Sequence, residues 1–513
     1  MIEQASISQS NNKRIARNTL LLYFRMILMM GVSLYTVRVV LNTLGVVDYG
    51  IYNVVGGIVT TFSFLSGTMA TASQRFFAFE LGRKNFDQLK KTFSMTMTIY
   101  ILIGIVILIL AETAGLWFLN NKMTIPVERI EAANWIYQFA ILSFMLTMFA
   151  IPYNAAIIAH ECMEVYAYVS IIEVFLKLLI VYILVELSLD KLKLYAFLMF
   201  IVTGIITSIY QVYCRRNYKE CNFFFYWDKI LFNKIFSYSG WNLFGALAGV
   251  LNVHGINIVL NIFYGPILNT AQSITIQVTN TINQFVQNFM TATKPQIIKY
   301  YASGQIDNMN NLIILSSKFS FFLLLLISLP VQVYTNFFFN IWLKYIPEHV
   351  VTFTRVAIIV ALIDSLSYPL QTAAQASGKI KLYQIIVGGV LILNLPLVYI
   401  VLYIEHEPLY IYYISLFISI LTLLLRLLLL REMIQFEIIY FFKNVLMPTL
   451  LVFVLSSFIY YALYYFFENS VFGILKVIFL GTISTILMIF FIGLSKVEKK
   501  YALNNVKKYL QTK

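Results

Sequence analysis

The chain has 513 residues, of which 60% are hydrophobic and only 12% charged. A soluble domain carries roughly a quarter of its residues as charges, so a chain at half that level has too little polar surface to face water all round; soluble globular, disordered and disulfide-scaffold readings are excluded. The formal charge of +14 would point to nucleic acid in a soluble chain, but in an apolar one it is first a mark of topology, because Lys and Arg collect on cytoplasmic loops.

The first segment, MIEQASISQSNNKRIARN, is polar and basic for too long to be a signal peptide, and no small-residue cleavage site follows, so the first apolar run reads as a retained span. Crossing roughly 30 Å of hydrocarbon takes about 20 apolar residues as a helix. Runs of that kind lie at 18–41, 49–72, 92–118, 133–158, 165–187, 194–214, 237–262, 267–290, 312–335, 351–374, 381–403, 409–430, 445–467 and 471–494, about fourteen helices in all. They are continuous and do not alternate every second residue, which excludes a barrel and predicts an all-α polytopic membrane protein.

The loops alternate in charge. One set holds Lys13, Arg14 and Arg17, then Arg75, Arg83, Lys84, Lys90 and Lys91, then Arg215, Arg216, Lys219, Lys229 and Lys234, then Lys294 and Lys299, Lys379 and Lys381, Arg431 and Lys443, and the tail from Lys496. The other set is nearly free of positive charge: Asp48, FYGP at 263–266, EHEP at 405–408 and Glu468. The positive-inside rule therefore places both termini in the cytoplasm. Topology accounts for the basic excess, and no nucleic-acid partner is expected. No loop exceeds about 25 residues, so no extramembrane catalytic domain is expected. Cys162, Cys214 and Cys221 form no CxxC pair and the histidines lie far apart, so neither a metal site nor another cofactor is predicted.

The chain also repeats itself. VVLNTLGVVDYG (39–50) lies over IVLNIFYGPILN (258–269), and GRKNFDQL (82–89) over GQIDNMNNL (304–312), an offset of about 220 residues. The duplication covers roughly six spans, and an even number keeps both copies in one orientation, as parallel repeats with a site between them. The expected organisation is a six-helix bundle at 1–214, a cytoplasmic linker at 215–236, a second six-helix bundle at 237–430, an additional helix pair at 431–494 and a basic cytoplasmic tail at 495–513.

The second helix of each copy carries a polar face. In 267–290 the stripe is Asn269, Thr270, Ser273, Gln277, Asn280, Thr281, Gln284, Gln287, Asn288 and Thr291, in steps of three and four. Amides cannot face lipid without a penalty of several kcal/mol each, so this stripe faces a wet cavity or another polar helix. In 49–72 the corresponding face is Asn53, Gly56, Gly57, Thr60, Ser63, Gly67 and Thr71; close helix packing by small residues explains it equally well.

Charges at membrane depth cost at least about 2.5 to 3.5 kcal/mol each, which makes every one a candidate site residue. The strongest are Arg25 and Arg38 in the first span, Lys318 in the ninth, and Arg355 with Asp364 in the tenth. Arg38 and Lys318 lie close enough to span ends to snorkel to the headgroups. Glu173 and Lys177 stand four apart with the acid first, the order of an intrahelical pair. The first two spans of each copy hold no acid except Asp48. The predicted cavity is thus cationic and polar, suited to a phosphate or pyrophosphate gripped by arginine with amides left for sugar hydroxyls.

VRVVLNTLGVVDYGIYNVVGG (37–57), ASQRFFAFELGRKN (72–85), IPYNAAIIAHECMEVYAYVSIIE (151–173), TATKPQIIKYYASGQ (291–305) and IWLKYIPE (341–348), in that order, resemble polysaccharide-unit flippases of the Wzx type, within the multidrug/oligosaccharidyl-lipid/polysaccharide (MOP) exporter superfamily. The resemblance covers almost the whole chain. It implies paired six-helix bundles around a cavity that opens alternately to either side of the bacterial inner membrane, and an undecaprenyl-pyrophosphate-linked oligosaccharide carried to the periplasmic leaflet for O-antigen-type polysaccharide biosynthesis, next to a polymerase. Arg25 stands where first-helix arginines of that family line the cavity. Asp364 and Arg355 are similar to its sensitive charges in the second half. The final helix pair exceeds a twelve-helix core, and the resemblance leaves its role open.

A GxxxxGK[ST] motif is absent, so the expected drive is an H+ or Na+ gradient, with Asp364 or Glu173 as the coupling acid, or removal of product by downstream polymerisation. A multidrug or cation antiporter of the same superfamily is the alternative, and a membrane polymerase, normally built on long periplasmic loops, a more distant one.

Overall fold

The computed structural model describes residues 2–60, 63–123, 125–187, 189–264, 266–343, 346–467, 470–496 and 498–500; inside the helices a further set of side chains, including those of residues 2–13, is not described. The described residues form helices and connecting turns: α1 (Ile2–Thr60), α2 (Ser63–Gly82), α3 (Phe86–Leu110), α4 (Leu116–Lys122), α5 (Ile130–Ala159), α6 (Met163–Glu186), α7 (Lys191–Asn217), α8 (Lys229–Tyr264), α9 (Pro266–Ala302), α10 (Ile306–Val333), α11 (Thr335–Trp342), α12 (Val350–Ser377), α13 (Ile380–Tyr383), α14 (Gly389–Glu405), α15 (Tyr410–Ile434), α16 (Ile438–Phe441), α17 (Met447–Phe466) and α18 (Val471–Met488). Single π-turns join α3 to α4, α13 to α14 and α16 to α17.

Twelve helices among the described residues are long and apolar enough to cross a membrane. The expected spans 49–72 and 267–290 are not among them. In the second, the polar stripe itself lowers the apolar content; helix α9 is nonetheless continuous over 37 residues. The first two expected spans are not separated by a loop. Helix α1 covers the first and continues to Thr60, within the second, the rest of which lies on α2; α1 is broken at Gly45, whose φ of 80° and ψ of 168° are open to glycine and strained for any other residue. Solvent-facing apolar side chains such as Ile109, Phe175, Tyr182, Phe417, Phe458 and Phe479 are more than half exposed over most of these helices, a surface stable only against lipid.

The chain divides into two compact units, one of residues 1–246 with 298–304, the other of 247–297 with 305–513. Within the first, α1 packs on α6, α5 on α7 and α2 on α5. Within the second, α8 meets α14 through Asn252 and Asn394 (2.6 Å), α12 packs on α15, and α9 meets α12 through Thr275 and Thr354 (3.2 Å). The same ordinal pairs of spans recur, which supports the internal repeat. The additional pair α17 and α18 rests on α10, where Gly493 leaves room for the Phe322 ring, 2.6 Å from where its Cβ would stand.

Candidate functional site

In the first unit, the Arg25 guanidinium reaches from α1 to α6. Its Nε donates to Ser170 Oγ, whose hydroxyl donates to the Tyr166 carbonyl at 2.9 Å, and its plane lies 4.3 Å from the centre of the Tyr166 ring. Tyr166 in turn stacks on Tyr210 of α7. Among the described residues no carboxylate pairs with Arg25, so a cation held by a hydroxyl and an aromatic face keeps its full charge available. One turn beyond, Lys177 donates to Glu173 at 2.6 Å, the intrahelical pair that the spacing predicts. Asp48 is bound at 2.7 Å by Arg129, which also reaches Asp190 at 3.1 Å. Arg38, Asn53 and Thr60 lie on α1, but their side chains are among those not described.

In the second unit, the stripe of α9 is two-sided. Gln272 and Thr275 turn inward, where Tyr412 donates to Gln272 and Thr275 meets Thr354. Ser273, Gln277, Asn280, Thr281, Gln284 and Gln287 are exposed, while Asn288 is half-buried. Gln287 also hydrogen-bonds Tyr368 of α12. An exposed row of amides on a helix of a membrane-spanning bundle requires water beside it, so α9 borders a wet surface.

The charges of this unit do not gather into one cluster. Asp364 accepts from Ser419 of α15, with Arg426 close enough to act on it, while Arg426 donates to Tyr383 at 3.0 Å. Arg355 sits nine residues earlier on α12 and donates to Thr335 at 3.3 Å. The Lys318 ammonium, 3% exposed, is bound by Glu498 at 2.6 Å and reaches the Gly493 carbonyl at 3.5 Å. It is thereby committed to the segment after α18 and is neither open to a ligand nor snorkelling.

Sequence reasoning missed two features. Lys294 and Lys299 are expected in a basic loop after the span 267–290, yet α9 continues past Pro295 to Ala302. Lys294 therefore extends the amide stripe by one turn beyond Thr291, and burial pushes its ammonium down to about 8. The other is Glu161, between α5 and α6, whose partners lie far along the chain. Near it, burial pushes the Glu220 carboxyl up, but His160 at 2.6 Å and the backbone together hold it below the usual carboxylate range.

No family model matches the sequence, and a search of the curated proteins returns no match. Solved structures do match. An outward-facing multidrug resistance MATE family transporter of the MOP superfamily aligns with a TM-score of 0.70 at 12% identity, over 83% of this chain and 96% of that one. The MATE transporter ClbM in complex with Rb+ aligns at 0.68 and 14%, over 83% and 96%. A MOP superfamily transporter from Pyrococcus furiosus, described as having a binding pocket of reverse polarity that suggests a different function, aligns at 0.67 and 12%, over 83% and 96%. The chain therefore has the fold of the MATE transporters, an all-helical, multi-span membrane architecture.

Proposed function

We propose that this protein is a flippase that moves undecaprenyl-pyrophosphate-linked oligosaccharide units from the cytoplasmic to the periplasmic leaflet of the bacterial inner membrane by alternating access, with both termini cytoplasmic. The observation that carries this reading is the charge balance. Glu173 is neutralised by Lys177, Asp48 by Arg129, and Asp364 is satisfied by Ser419, whereas Arg25 has no carboxylate partner among the described residues and the open face of α9 is a row of neutral amides. A carrier of cationic drugs needs an open carboxylate; a carrier of an anionic headgroup with sugars needs a cation and hydrogen-bonding amides. The pocket of reverse polarity ascribed to the Pyrococcus furiosus neighbour is consistent with such a division within one fold. Coupling to H+ or Na+ at Asp364, and delivery to a polysaccharide polymerase, complete the proposal.

The second reading, a multidrug or cation antiporter, is favoured by the likeness to MATE transporters. Depleting the protein from cells and probing spheroplasts with a membrane-impermeant sugar reagent separates the two. Glycolipid that accumulates out of reach of the reagent supports the flippase. Normal sidedness with hypersensitivity to cationic drugs supports the antiporter.

A further inference from the structure

The turn between α5 and α6 places a glutamate where a glycine would be at ease. Glu161 has φ of 63°, in the left-handed region, outside a helix and with a full side chain. Its carbonyl accepts from Asn18 Nδ2 of α1 at 3.0 Å. Its carboxylate, fully buried, binds Arg14 of α1 at 2.8 Å through Oε2 and Lys299 of α9 at 2.6 Å through Oε1. Lys299 belongs to residues 298–304, the end of α9 that packs in the first unit, whereas residues 266–297 of the same helix, with the amide stripe, belong to the second.

Other contacts hold the same neighbourhood. A Cβ at Gly82 of α2 would stand 2.8 Å from the Ala302 Cβ and 2.9 Å from the Lys299 Cα, so the backbones of α2 and α9 touch and no side chain fits between them. The first half of α8, also part of the first unit, lays Tyr238 edge-on against Phe76 at 5.4 Å, and the buried Arg75 guanidinium lies 4.7 Å from the Phe76 ring centre and 5.4 Å from that of Tyr238.

We propose that Glu161 is a latch that fixes the end of α9 to the first unit, and that its release is a conformational step of the transport cycle. A fully buried carboxylate is costly to leave without a cation, so when α9 withdraws Lys299 the carboxylate passes to Arg14 alone, and the contact has a closed and an open state. The turn that carries this carboxylate is thus strained in its backbone and buried at its side chain. The inference rests on the transport reading for its purpose, but the latch has its own readout.

The test uses the full chain in lipid nanodiscs, with Cys162, Cys214 and Cys221 replaced by serine, spin labels at Arg83→Cys and Ser303→Cys, and pulsed electron spin resonance of the distance between them. The wild-type background gives one narrow, short distribution. Lys299→Glu and Glu161→Lys each add a longer component, and the charge-swapped double variant returns to the short one. Glu161→Gln, which keeps shape and hydrogen-bonding capacity, carries the test should the reversals fail to fold, and also shows the longer component. An unchanged distribution in the folded single variants overturns the latch. Distances that respond as described in a protein that moves no lipid-linked sugar leave the latch standing and remove the flippase reading instead.

Discussion

Lys318 and Glu498 lie 180 residues apart in sequence and 2.6 Å apart in space. The pair ties α10 to the segment that follows α18, beside the Phe322 and Gly493 contact, and so anchors the additional helix pair to the core of its unit. Breaking a buried pair from one side leaves a stranded charge and costs about 3 to 5 kcal/mol, whereas replacing both partners by neutral groups is close to neutral. Glu498→Gln should lower the melting temperature, and Lys318→Met with Glu498→Gln should recover it and keep transport. A stable double variant without transport would return Lys318 to the substrate path.

Arg25 is held by geometry that lysine cannot copy, a planar guanidinium over Tyr166 with Nε on Ser170. Arg25→Ala should reduce flipping at least tenfold at near-normal expression, and Arg25→Lys should recover only part of it. Full activity in Arg25→Lys would mean that charge alone suffices there.

The Gln277 and Gln284 side chains of α9 are exposed, and in the proposed reading they serve ligand and water. Gln277→Leu with Gln284→Leu should therefore leave thermal stability unchanged or slightly raised while flipping falls. Equal loss of both would show that the amides pack against protein.

Lys294 lies beyond the expected span of α9, and burial holds its ammonium near 8 against an ordinary value of 10.5. Because the folded value is the lower one, the unfolded chain binds more protons between about pH 8 and 10.5, and stability from this group rises with pH across that window. Lys294→Met should flatten this rise in melting temperature, measured against the wild type from pH 7.5 to 10; an unaltered pH profile would contradict the burial of the ammonium.

Most of the architecture was legible because a hydrocarbon slab imposes a length on every apolar run. The Glu173 and Lys177 pair was legible for a similar local reason, since both residues ride on one helix at a fixed spacing. What was not legible depends on contacts between distant segments. Glu498 lies 180 residues from Lys318, and Lys299 lies 138 residues from Glu161; nothing in the local pattern announces them. The apolar-run lengths also set the end of α9 too early, at residue 290 where the helix continues to Ala302, and at Gly45 a sharp break in α1 takes the place of a loop.

The central claim is tested most directly by purified protein in sealed proteoliposomes containing undecaprenyl-pyrophosphate-linked oligosaccharide, with a membrane-impermeant reagent reporting how much sugar faces outward over time. The account predicts that wild-type protein brings the inward-facing pool to the outer surface, that Arg25→Ala fails to do so, and that protein-free vesicles stay protected. Protection equal in wild-type and protein-free vesicles, under imposed H+ and Na+ gradients alike, would contradict it.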